Sequence, residues 1–389
     1  MVNFRTIRIA DFGRVVTGKT PPSAQPELFG NIHPFLTPTD IDGFARHIEP
    51  DRFLSATGRD YQHRLMLPSR AVCVVCIGAT IGKVCMTDRP SFTNQQINSV
   101  VVNEAEHDPF FVYHLLTTLR DELKSNAGGA ATPIINKTAF SEIKVSVPPL
   151  PVQQRIADIL SAYDELIENS QRRIKILESM ARALYREWFV YFRFPGHENH
   201  PRIASPLGEI PQGWEVGRLD DVLVLQRGFD LPKASRTEGT VPIIAATGVT
   251  GFHNEAKVKA PGVVTGRSGS IGEVLYVQED FWPLNTSLWV KEFPKGEPLY
   301  AYYLLSSLDL KQFNSGAAVP TLNRNDIHGM RVVVPPRDLQ KRFQDIAGAL
   351  LAHSRMLDLK NKNLRRTRNL LLPRLLSGQI DLSEGTGLG

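Results

Sequence analysis

Apolar residues recur every three to four positions along two long stretches of the chain, which is the spacing of one face of an α-helix. The first stretch predicts a helix from about Val152 to Trp188. Its helical face falls in two heptad registers: Leu160, Ile167, Ile174, Ala181 and Trp188, with Ile156, Tyr163, Ser170, Leu177 and Leu184. Two registers sustained over five heptads are typical of a coiled-coil seam, which is broken once by Ser170.

The second stretch, near the other end of the chain, has one apolar register and one that is mostly small or polar. The registers are Phe343, Leu350, Leu357, Leu364 and Leu371, and Ala347, Ser354, Asn361, Arg368 and Leu375. Complementary stripes of this kind favour an intramolecular coiled coil. The alternative is that each helix packs separately on its own domain, because a stripe does not identify its partner. Ser354, Asn361 and Arg368 predict either a loose seam or a face that meets a partner.

The segments that lead into the two helices are copies of each other. "INKTAFSEIKVSVPPLPVQQRIADIL", from Ile135, is matched by "LNRNDIHGMRVVVPPRDLQKRFQDIA", from Leu322. Ten positions are identical between Pro133 and Ile159, including the Val-Pro-Pro run and a glutamine at Gln153 and Gln340. Each copy predicts a short strand, a Pro-Pro break and a long helix, so the chain is an internal duplication.

A mixed domain of strands and one clear helix precedes each long helix, so the predicted fold class is α+β with an internal pseudo-two-fold repeat. "RAVCVVCIG" and "APGVVTGRSGSIGEVLYV" predict strands, and "DPFFVYHLLTTLRDEL" and "PLYAYYLLSSLDLKQF" predict the helices. The segment between the halves is rich in Pro, Gly and small polar residues, which predicts a linker. The predicted division is a mixed domain at 1–150, a helix at 151–193, a linker at 194–210, a mixed domain at 211–337, a helix at 338–376 and a tail at 377–389.

Composition places the chain among ordinary globular proteins. Its 389 residues allow two or three domains, and 42% are apolar and 22% charged. The N-terminus lacks signal-peptide anatomy and there is no apolar run of membrane-spanning length, so we expect a cytoplasmic protein with no membrane contact. The net charge is +5, and Lys341 to Arg374 holds nine basic against two acidic residues. This basic helix predicts either a solvated face or a polyanion-binding surface.

Three cysteines, Cys73, Cys76 and Cys85, lie in one Val-rich segment, and the first two have the C-x-x-C spacing of zinc and redox sites. No second pair at ligand spacing follows, and a redox C-x-x-C opens a helix rather than lying in a β-branched run. We therefore expect core strand residues in a reducing compartment and no metal site.

"GRVVTGKT", Gly13 to Thr20, satisfies the P-loop pattern, but its context is wrong. A P-loop needs the Gly-Lys-Thr to open a helix, and Pro21 and Pro22 follow at once, which pushes the chain away from helical angles. ATP binding is therefore not expected. The later glycine-rich segments at 78–84 and 266–272 occupy matching places, and predict either backbone close to DNA phosphate or tight hairpins.

No catalytic constellation is evident in the sequence. There is no [NDS]-P-P-[FYW] tetrapeptide for amino-methylation, no G-x-S-x-G elbow and no convincing carboxylate cluster for a nuclease metal. The chain is therefore predicted to be a non-catalytic binding module.

Two unlike domains, each ending in "G-x-A-x-P-x-(I/L)-N-(K/R)" and "V-P-P" before a "Q-(Q/K)-R-(I/F)" helix, resemble the specificity subunit of type I restriction and modification systems. The resemblance covers nearly the whole chain. It implies two target-recognition domains, each reading one half of a split sequence in double-stranded DNA, and two conserved helices in an antiparallel coiled coil. It also implies two adenine-methyltransferase subunits and restriction and translocase subunits as partners. S-adenosylmethionine, ATP and magnesium would then belong to those partners, and this chain would have no cofactor of its own.

Candidate DNA contacts follow from residue type and loop placement, because Arg and Lys suit guanine and phosphate, and Asn and Gln suit adenine. In the first domain they are Lys19, Thr20, Lys83, Asn94, Gln95, Gln96 and Lys137. In the second domain they are Arg227, Arg267, Ser268, Ser270, Asn285, Thr286 and Arg324. Asn136 and Asn323 are instead expected to cap the turn before the Val-Pro-Pro strand.

The sequence is consistent with three hypotheses. The first is the non-catalytic DNA-recognition subunit. The second is a P-loop NTPase built on Gly13 to Thr20, and the third is a coiled-coil scaffold whose mixed domains bind proteins. DNA binding with a steep salt dependence would count against the scaffold, because neutralising phosphates releases counterions.

Overall fold

The computed structural model describes residues 3–41, 46–125, 127–128, 133–316, 318–380 and 382. The chain divides into two compact units, the first comprising Met1–Arg172 and Asp358–Gly389 and the second Arg173–Leu357. Most of the predicted tail, 377–389, and the Gly-x-Ala-x part of the first motif, residues 129–132, lie outside the described residues. We call residues 1–149 domain 1 and residues 211–336 domain 2.

Domain 1 is built from short strands and helices that lead into the first long helix. The strands are β1 (Arg5–Arg8), β2 (Gly13–Thr17), β3 (Phe29–Gly30), β4 (His33–Leu36), β5 (Phe53–Leu54), β6 (Val72–Val75), β7 (Val84–Met86), β8 (Phe92–Thr93), β9 (Ile97–Val102) and β10 (Lys144–Val147). The helices are α1 (Ala56–Tyr61), α2 (Pro109–Thr118), α3 (Arg120–Ser125), α4 (Lys137–Glu142) and α5 (Leu150–Tyr185), and α5 continues as a π-helical turn over Arg186–Val190.

The chain continues through a hairpin, domain 2 and the second long helix. The strands are β11 (Arg202–Ser205), β12 (Gly208–Pro211), β13 (Glu215–Arg218), β14 (Val224–Arg227), β15 (Val241–Ala245), β16 (Gly248–His253), β17 (Gly262–Gly266), β18 (Val274–Val277), β19 (Trp282–Pro283), β20 (Ser287–Glu292) and β21 (Arg331–Val334). The helices are α6 (Leu219–Val222), α7 (Pro298–Ser307), α8 (Arg324–His328) and α9 (Arg337–Leu376).

The two domains share one sheet topology, which confirms the predicted α+β internal repeat. The antiparallel order β2-β9-β6-β7 in domain 1 corresponds to β14-β20-β17-β18 in domain 2. Each domain also has a two-stranded sheet that ends in the Val-Pro-Pro strand, β1-β10 and β13-β21, and one parallel strand pair, β4-β8 and β15-β19. Few residues are identical at equivalent positions of the two domains, so the repeat is evident mainly in the course of the backbone.

The segment 194–210, expected to be a linker, contains ordered structure. Its end forms the hairpin β11-β12, and Phe194 and Ile210 are buried in the core of the second unit. Phe194 lies with its ring centroid 5.6 Å from that of Trp214.

Three cysteines in domain 1 are buried in or directly after the strands β6 and β7, as expected of core strand residues. Cys73 and Cys85 lie opposite each other in the β6-β7 ladder as free thiols. No helix among the described residues is long and apolar enough to cross a membrane.

Within each unit the long helices contact each other in antiparallel fashion. In the first unit Asp164 of α5 meets Arg368 of α9, and the Ile167 carbonyl accepts from Asn361 at 3.5 Å. In the second unit Ser354 of α9 donates to Glu178 of α5 at 3.2 Å. Packing of each helix on its own domain alone is therefore excluded.

The polar residues of the second helix lie inside the helix pair. Ser354, Asn361 and Arg368 are 6%, 2% and, for the side chain of Arg368, 15% exposed, and each has a polar partner on α5. The expectation that this face would be loose or would meet a partner was wrong, because α5 offers an acceptor opposite each of these residues.

A buried glutamine explains part of the duplicated sequence. The side chain of Gln153 donates to the Pro148 carbonyl at 2.9 Å and accepts from the backbone of Asp108, the N-cap of α2, at 3.1 Å. Gln340 repeats both bonds with the Pro335 carbonyl and the backbone of Glu297, each at 2.9 Å. Both side chains are fully buried. Each glutamine therefore ties a long helix to the strand before it and to the start of the domain's helix.

Helix α5 docks on domain 1 through a buried ionic cluster. Asp164, 3% exposed, contacts Arg368 and lies with Oδ2 3.4 Å from Nε2 of His114. Burial raises the pKa of Asp164, while Arg368 and Arg46 oppose that shift. Burial and the two arginines lower the pKa of His114 to about 3, so this histidine is neutral at pH 7. The charge of Asp164 is therefore balanced by arginine and not by His114.

The equivalent contact in the second unit is apolar. By the alignment of Gln153 with Gln340, Asp164 corresponds to Leu351, which is buried. There Tyr303 of α7, in domain 2, packs on Phe343 of α9 and on Tyr185 of α5, with ring centroids 5.8 Å and 5.4 Å apart. The two domains thus dock on the helices by different chemistry.

Replacing Gln153 with alanine is expected to lower the free energy of unfolding by about 1–3 kcal/mol, because a buried carbonyl and a buried N–H lose their partner. The measurement is urea unfolding followed by circular dichroism. Gln154→Ala is the matched control, since Gln154 is exposed and its loss should change stability by less than about 0.5 kcal/mol. Equal effects of the two substitutions would contradict the assigned role.

Replacing Arg368 with alanine is expected to cost about 3–5 kcal/mol of unfolding free energy, because it leaves the Asp164 carboxylate buried without its main partner. The double variant Asp164→Leu/Arg368→Met, which copies the apolar chemistry of the second unit, should recover most of that loss. Arg366→Ala, at an exposed position on the same helix, is the control. Failure of the double variant to recover stability would show that the cluster contributes more than charge balance.

Candidate DNA interface

The segment with the P-loop pattern does not form a phosphate loop. Gly13–Thr17 is strand β2, paired along its length with β9, and residues 18–20 continue as a loop. The next helical turn is a single 3₁₀ turn at Pro26–Leu28. A helix N-terminus therefore does not follow the Gly-Lys-Thr sequence, as the two prolines predicted.

In domain 1 the loop after β2 meets the loop between β8 and β9. The backbone of Lys19 donates to the Thr93 carbonyl at 3.0 Å, and Gln95 Oε1 accepts from the backbone and the hydroxyl of Thr20 at 3.3 Å and 2.7 Å. Lys19 and Gln95 are exposed. Three predicted contact residues, Lys19, Thr20 and Gln95, are thus brought together on one rim.

Other predicted residues of domain 1 have partners within the protein. Asn94 is 7% exposed and exchanges hydrogen bonds with Gln96, both at 3.0 Å, so its amide shapes the turn. The Lys83 ammonium donates to the Ile41 carbonyl. Lys137 is exposed at the start of α4. The geometry favours structural roles for Asn94 and Lys83, and leaves Lys137 available to a ligand.

In domain 2 three of the seven predicted residues, Arg227, Arg267 and Arg324, line a cleft of about 890 Å³. Its lining includes Arg227, Asp230, Arg267, Asn323 and Arg324. These residues come from the end of β14, the β17–β18 connection and the start of α8, so three distant segments meet there.

Each arginine of the cleft is held by a protein acceptor on one side. Arg267 donates to the Asn285 carbonyl at 3.2 Å, and Arg324 donates to the Leu225 carbonyl at 3.3 Å. Arg227 lies 3.7 Å from the carboxylate of Asp230, which also accepts from the Asn285 side chain. A guanidinium carries five N–H donors, so each arginine retains donors for a ligand.

The glycine-rich segment of domain 2 is a tight connection between β17 and β18. A Cβ at Gly266 would lie 1.7 Å from the Ser270 carbonyl oxygen, so only glycine fits there. Ser268 donates its backbone N–H to the Thr286 carbonyl at 3.1 Å and pairs with Thr321 across an isolated bridge. Thr286 and Ser268 therefore fix the edge of the cleft, and Ser270 closes the turn.

Matching backbone hydrogen bonds identify equivalent positions in the two domains. Gly18 and Gly228 donate to the carbonyls of Ile97 and Ser287, and Cys76 and Arg267 donate to the carbonyls of Gln96 and Thr286. The resulting pairs, domain 1 first, are Thr17 with Arg227, Thr20 with Asp230, Cys76 with Arg267 and Gln95 with Asn285, and the duplicated sequence adds Lys137 with Arg324. The same loops thus carry mostly neutral groups in domain 1 and three arginines with an aspartate in domain 2.

The asparagines of the duplicated motif are helix caps, as predicted. The side chain of Asn136 accepts from the Ala139 backbone at 2.8 Å, and that of Asn323 accepts from the Asn325 backbone at 3.1 Å. Each caps the short helix before the Val-Pro-Pro strand.

The thiol of Cys76 lies in the hydrophobic core of the first unit. Cys76 is 1% exposed, and burial raises the pKa of its thiol to about 11, so it is neutral at physiological pH. Within the described part of the chain no group of three or more His, Cys, Asp or Glu side chains could hold a metal ion.

The sequence did not predict Asp230, which also lines the cleft. It stands three residues after Arg227 in a segment with no motif, and its importance depends on Asn285, which is distant in sequence. An alignment of Gly18 with Gly228 would have placed Asp230 opposite Thr20. Too few residues are identical there for the sequence to give that alignment, and it becomes clear only from the backbone hydrogen bonds.

Comparisons with known proteins agree on one family. The family model described as the type I restriction modification DNA specificity domain matches residues 1–179 and 211–365. The chain is 26% identical over 408 aligned residues to the specificity subunit of the type I restriction enzyme MjaIX from Methanocaldococcus jannaschii, covering 97% of this chain and 93% of that protein. It is 31% identical over 178 residues to the specificity subunit of the HindI enzyme from Haemophilus influenzae, covering 44% of this chain and 38% of that protein.

A solved structure supports the same fold. The S subunit of a type I restriction-modification system from M. genitalium superposes with a TM-score of 0.65 at 18% sequence identity, covering 96% of each chain. Because the family model matches both halves of the duplication, with both domains and most of both helices, the chain belongs to the type I restriction modification DNA specificity family.

Proposed function

We propose that this chain is the non-catalytic DNA-recognition subunit of a type I restriction-modification complex, and that each domain reads one half of a bipartite, asymmetric DNA site. The observation that carries this proposal is that two domains of one topology present different side chains at equivalent loops. A reader built this way recognises two unlike half-sites with a single chain. Recognition of two different half-sites requires equivalent loops that carry different side chains.

The long helices are proposed to set the spacing of the two half-sites. Helix α5 has 36 residues and α9 has 40, which at about 1.5 Å per residue gives rods roughly 54 and 60 Å long. Both contribute residues to both compact units. A rod of that length is compatible with reading heads about one or more DNA turns apart.

The outer faces of the helices are proposed to dock two adenine-methyltransferase subunits. Several large apolar side chains on them are about half exposed or more, which favours a protein partner over solvent. They are Leu166, Ile176, Met180, Ile346, Met356, Leu359 and Leu370.

The remaining chemistry is assigned to partner subunits. S-adenosylmethionine would bind the methyltransferase subunits, and ATP and magnesium would serve the restriction and translocase subunits, with no cofactor held by this chain. The complex would act on double-stranded DNA in the cytoplasm.

The protein-scaffold hypothesis shares the helix pair but gives the cleft of domain 2 no role. Three arginines gathered around one cleft favour a polyanion over a protein ligand. A steep decrease of DNA affinity with salt would be expected of the recognition subunit and not of the scaffold.

The test is adenine methylation mapped base by base in cells that express this chain with the methyltransferase subunit of its own system. A split motif with a fixed gap is expected only when this chain is present. Exchanging residues 1–147 for the first domain of another family member should change one half of the motif and leave the other half and the gap unchanged.

The control is the same methyltransferase expressed alone, together with proof that the complex assembles. Identical methylation with and without this chain in an assembled, active complex would overturn the recognition role. A change of both half-sites after the single domain exchange would overturn the assignment of one half-site to each domain.

A further inference from the structure

The cleft of domain 2 contains functional groups that binding to DNA phosphates alone does not require. Phosphate attraction requires only exposed cations, and long flexible lysines serve it well. Here the cations are arginines whose orientation is set by protein acceptors, and a carboxylate lies among them.

Asn285 connects the two key groups of the cleft. Its backbone carbonyl accepts from Arg267, and its side-chain amide donates to the carboxylate of Asp230. A single residue therefore orients a strong donor and a strong acceptor beside the same space. Asp230 has a 70% exposed side chain, so its carboxylate is open to a ligand.

A carboxylate argues against phosphate as the ligand of this group. Asp230 would repel a phosphate, and no DNA phosphate can donate a hydrogen bond to it. The edge of a G·C base pair in the major groove presents acceptors and a donor that match the arginine donors and the carboxylate acceptor of the cleft. Guanine offers two acceptors, O6 and N7, that suit an arginine, and cytosine offers an N4 amine that suits a carboxylate.

We infer that domain 2 reads a G·C base pair in its half-site, with Arg267 donating to guanine and Asp230 accepting from the cytosine amine. This inference rests on the proposed function and adds to it the base class that one half-site contains. Arg227, 3.7 Å from the Asp230 carboxylate, lines the same cleft.

Domain 1 presents no such pair of groups at the equivalent positions. Arg267 corresponds to Cys76, a buried neutral thiol, and Asp230 corresponds to Thr20, whose hydroxyl donates to Gln95 at 2.7 Å. The G·C contact is therefore specific to domain 2, and the half-site of domain 1 provides an internal control within one DNA duplex.

The experiment measures competition binding of the assembled complex with its methyltransferase subunits to duplexes in which the domain 2 half-site is varied one base pair at a time. That half-site is identified beforehand by the domain exchange. The wild-type complex should prefer G·C over A·T by roughly 5- to 150-fold at one or more positions, the range expected for one good base contact.

Arg267→Ala and Asp230→Asn should each remove most of that preference at the same position and leave the domain 1 half-site as selective as before. Arg331→Ala is the matched control, because Arg331 is an exposed arginine of domain 2 on β21, outside the cleft. Arg267→Lys, which keeps the charge but loses the planar fork, should also lose the preference and serves if the alanine variant does not assemble.

Two results would overturn the inference while leaving the recognition function intact. One is a domain 2 half-site specified only by A·T pairs. The other is an Arg267→Ala variant that binds all duplexes more weakly by the same factor, with a salt slope reduced by about one, which is the behaviour of a phosphate contact. Absence of sequence preference in both half-sites with an assembled wild-type complex would instead count against the proposed function itself.

Discussion

Burial of two long apolar helix stripes is the constraint on which the rest of this molecule depends. In the first unit Ile156 and Leu160 of α5 and Leu375 of α9 belong to the core that contains Phe111 of domain 1. In the second unit Tyr185 of α5 and Phe343 of α9 belong to the core of domain 2. Each domain therefore completes its core with helix segments from both ends of the duplication. Neither half of the sequence could bury its apolar surface in this way alone.

This dependence explains which parts of the duplication stayed alike. The two buried glutamines tie helix, strand and domain together, and any change at either position would leave buried polar groups without partners. The docking contacts themselves were free to change in chemistry, as the ionic cluster at Asp164 and the apolar contact at Leu351 illustrate. Either solution buries the helix face, provided that every buried charge is balanced.

The loops that carry the candidate DNA contacts share their backbone and differ in their side chains. Their backbones are equivalent, since the same N–H groups donate to the same carbonyls in both domains. Their side chains differ, with Cys76 in one domain where Arg267 stands in the other. Because equivalent backbone hydrogen bonds hold both loops, the two domains keep the same loop path with different side chains. A scaffold of this kind permits two chemically different surfaces in one chain.

The sequence by itself determined the internal duplication, the α+β class, the two long helices and the failure of the P-loop pattern, because periodicity, repetition and proline placement are local properties of a chain. It also identified Arg227, Arg267 and Arg324 as candidates by residue type. Only the tertiary structure decided that these arginines share one cleft with Asp230, that Asn94 and Lys83 of domain 1 are engaged inside the protein, and that the polar positions of α9 face α5. Those outcomes depend on contacts between segments distant in sequence, and such contacts leave no periodic signal in either segment.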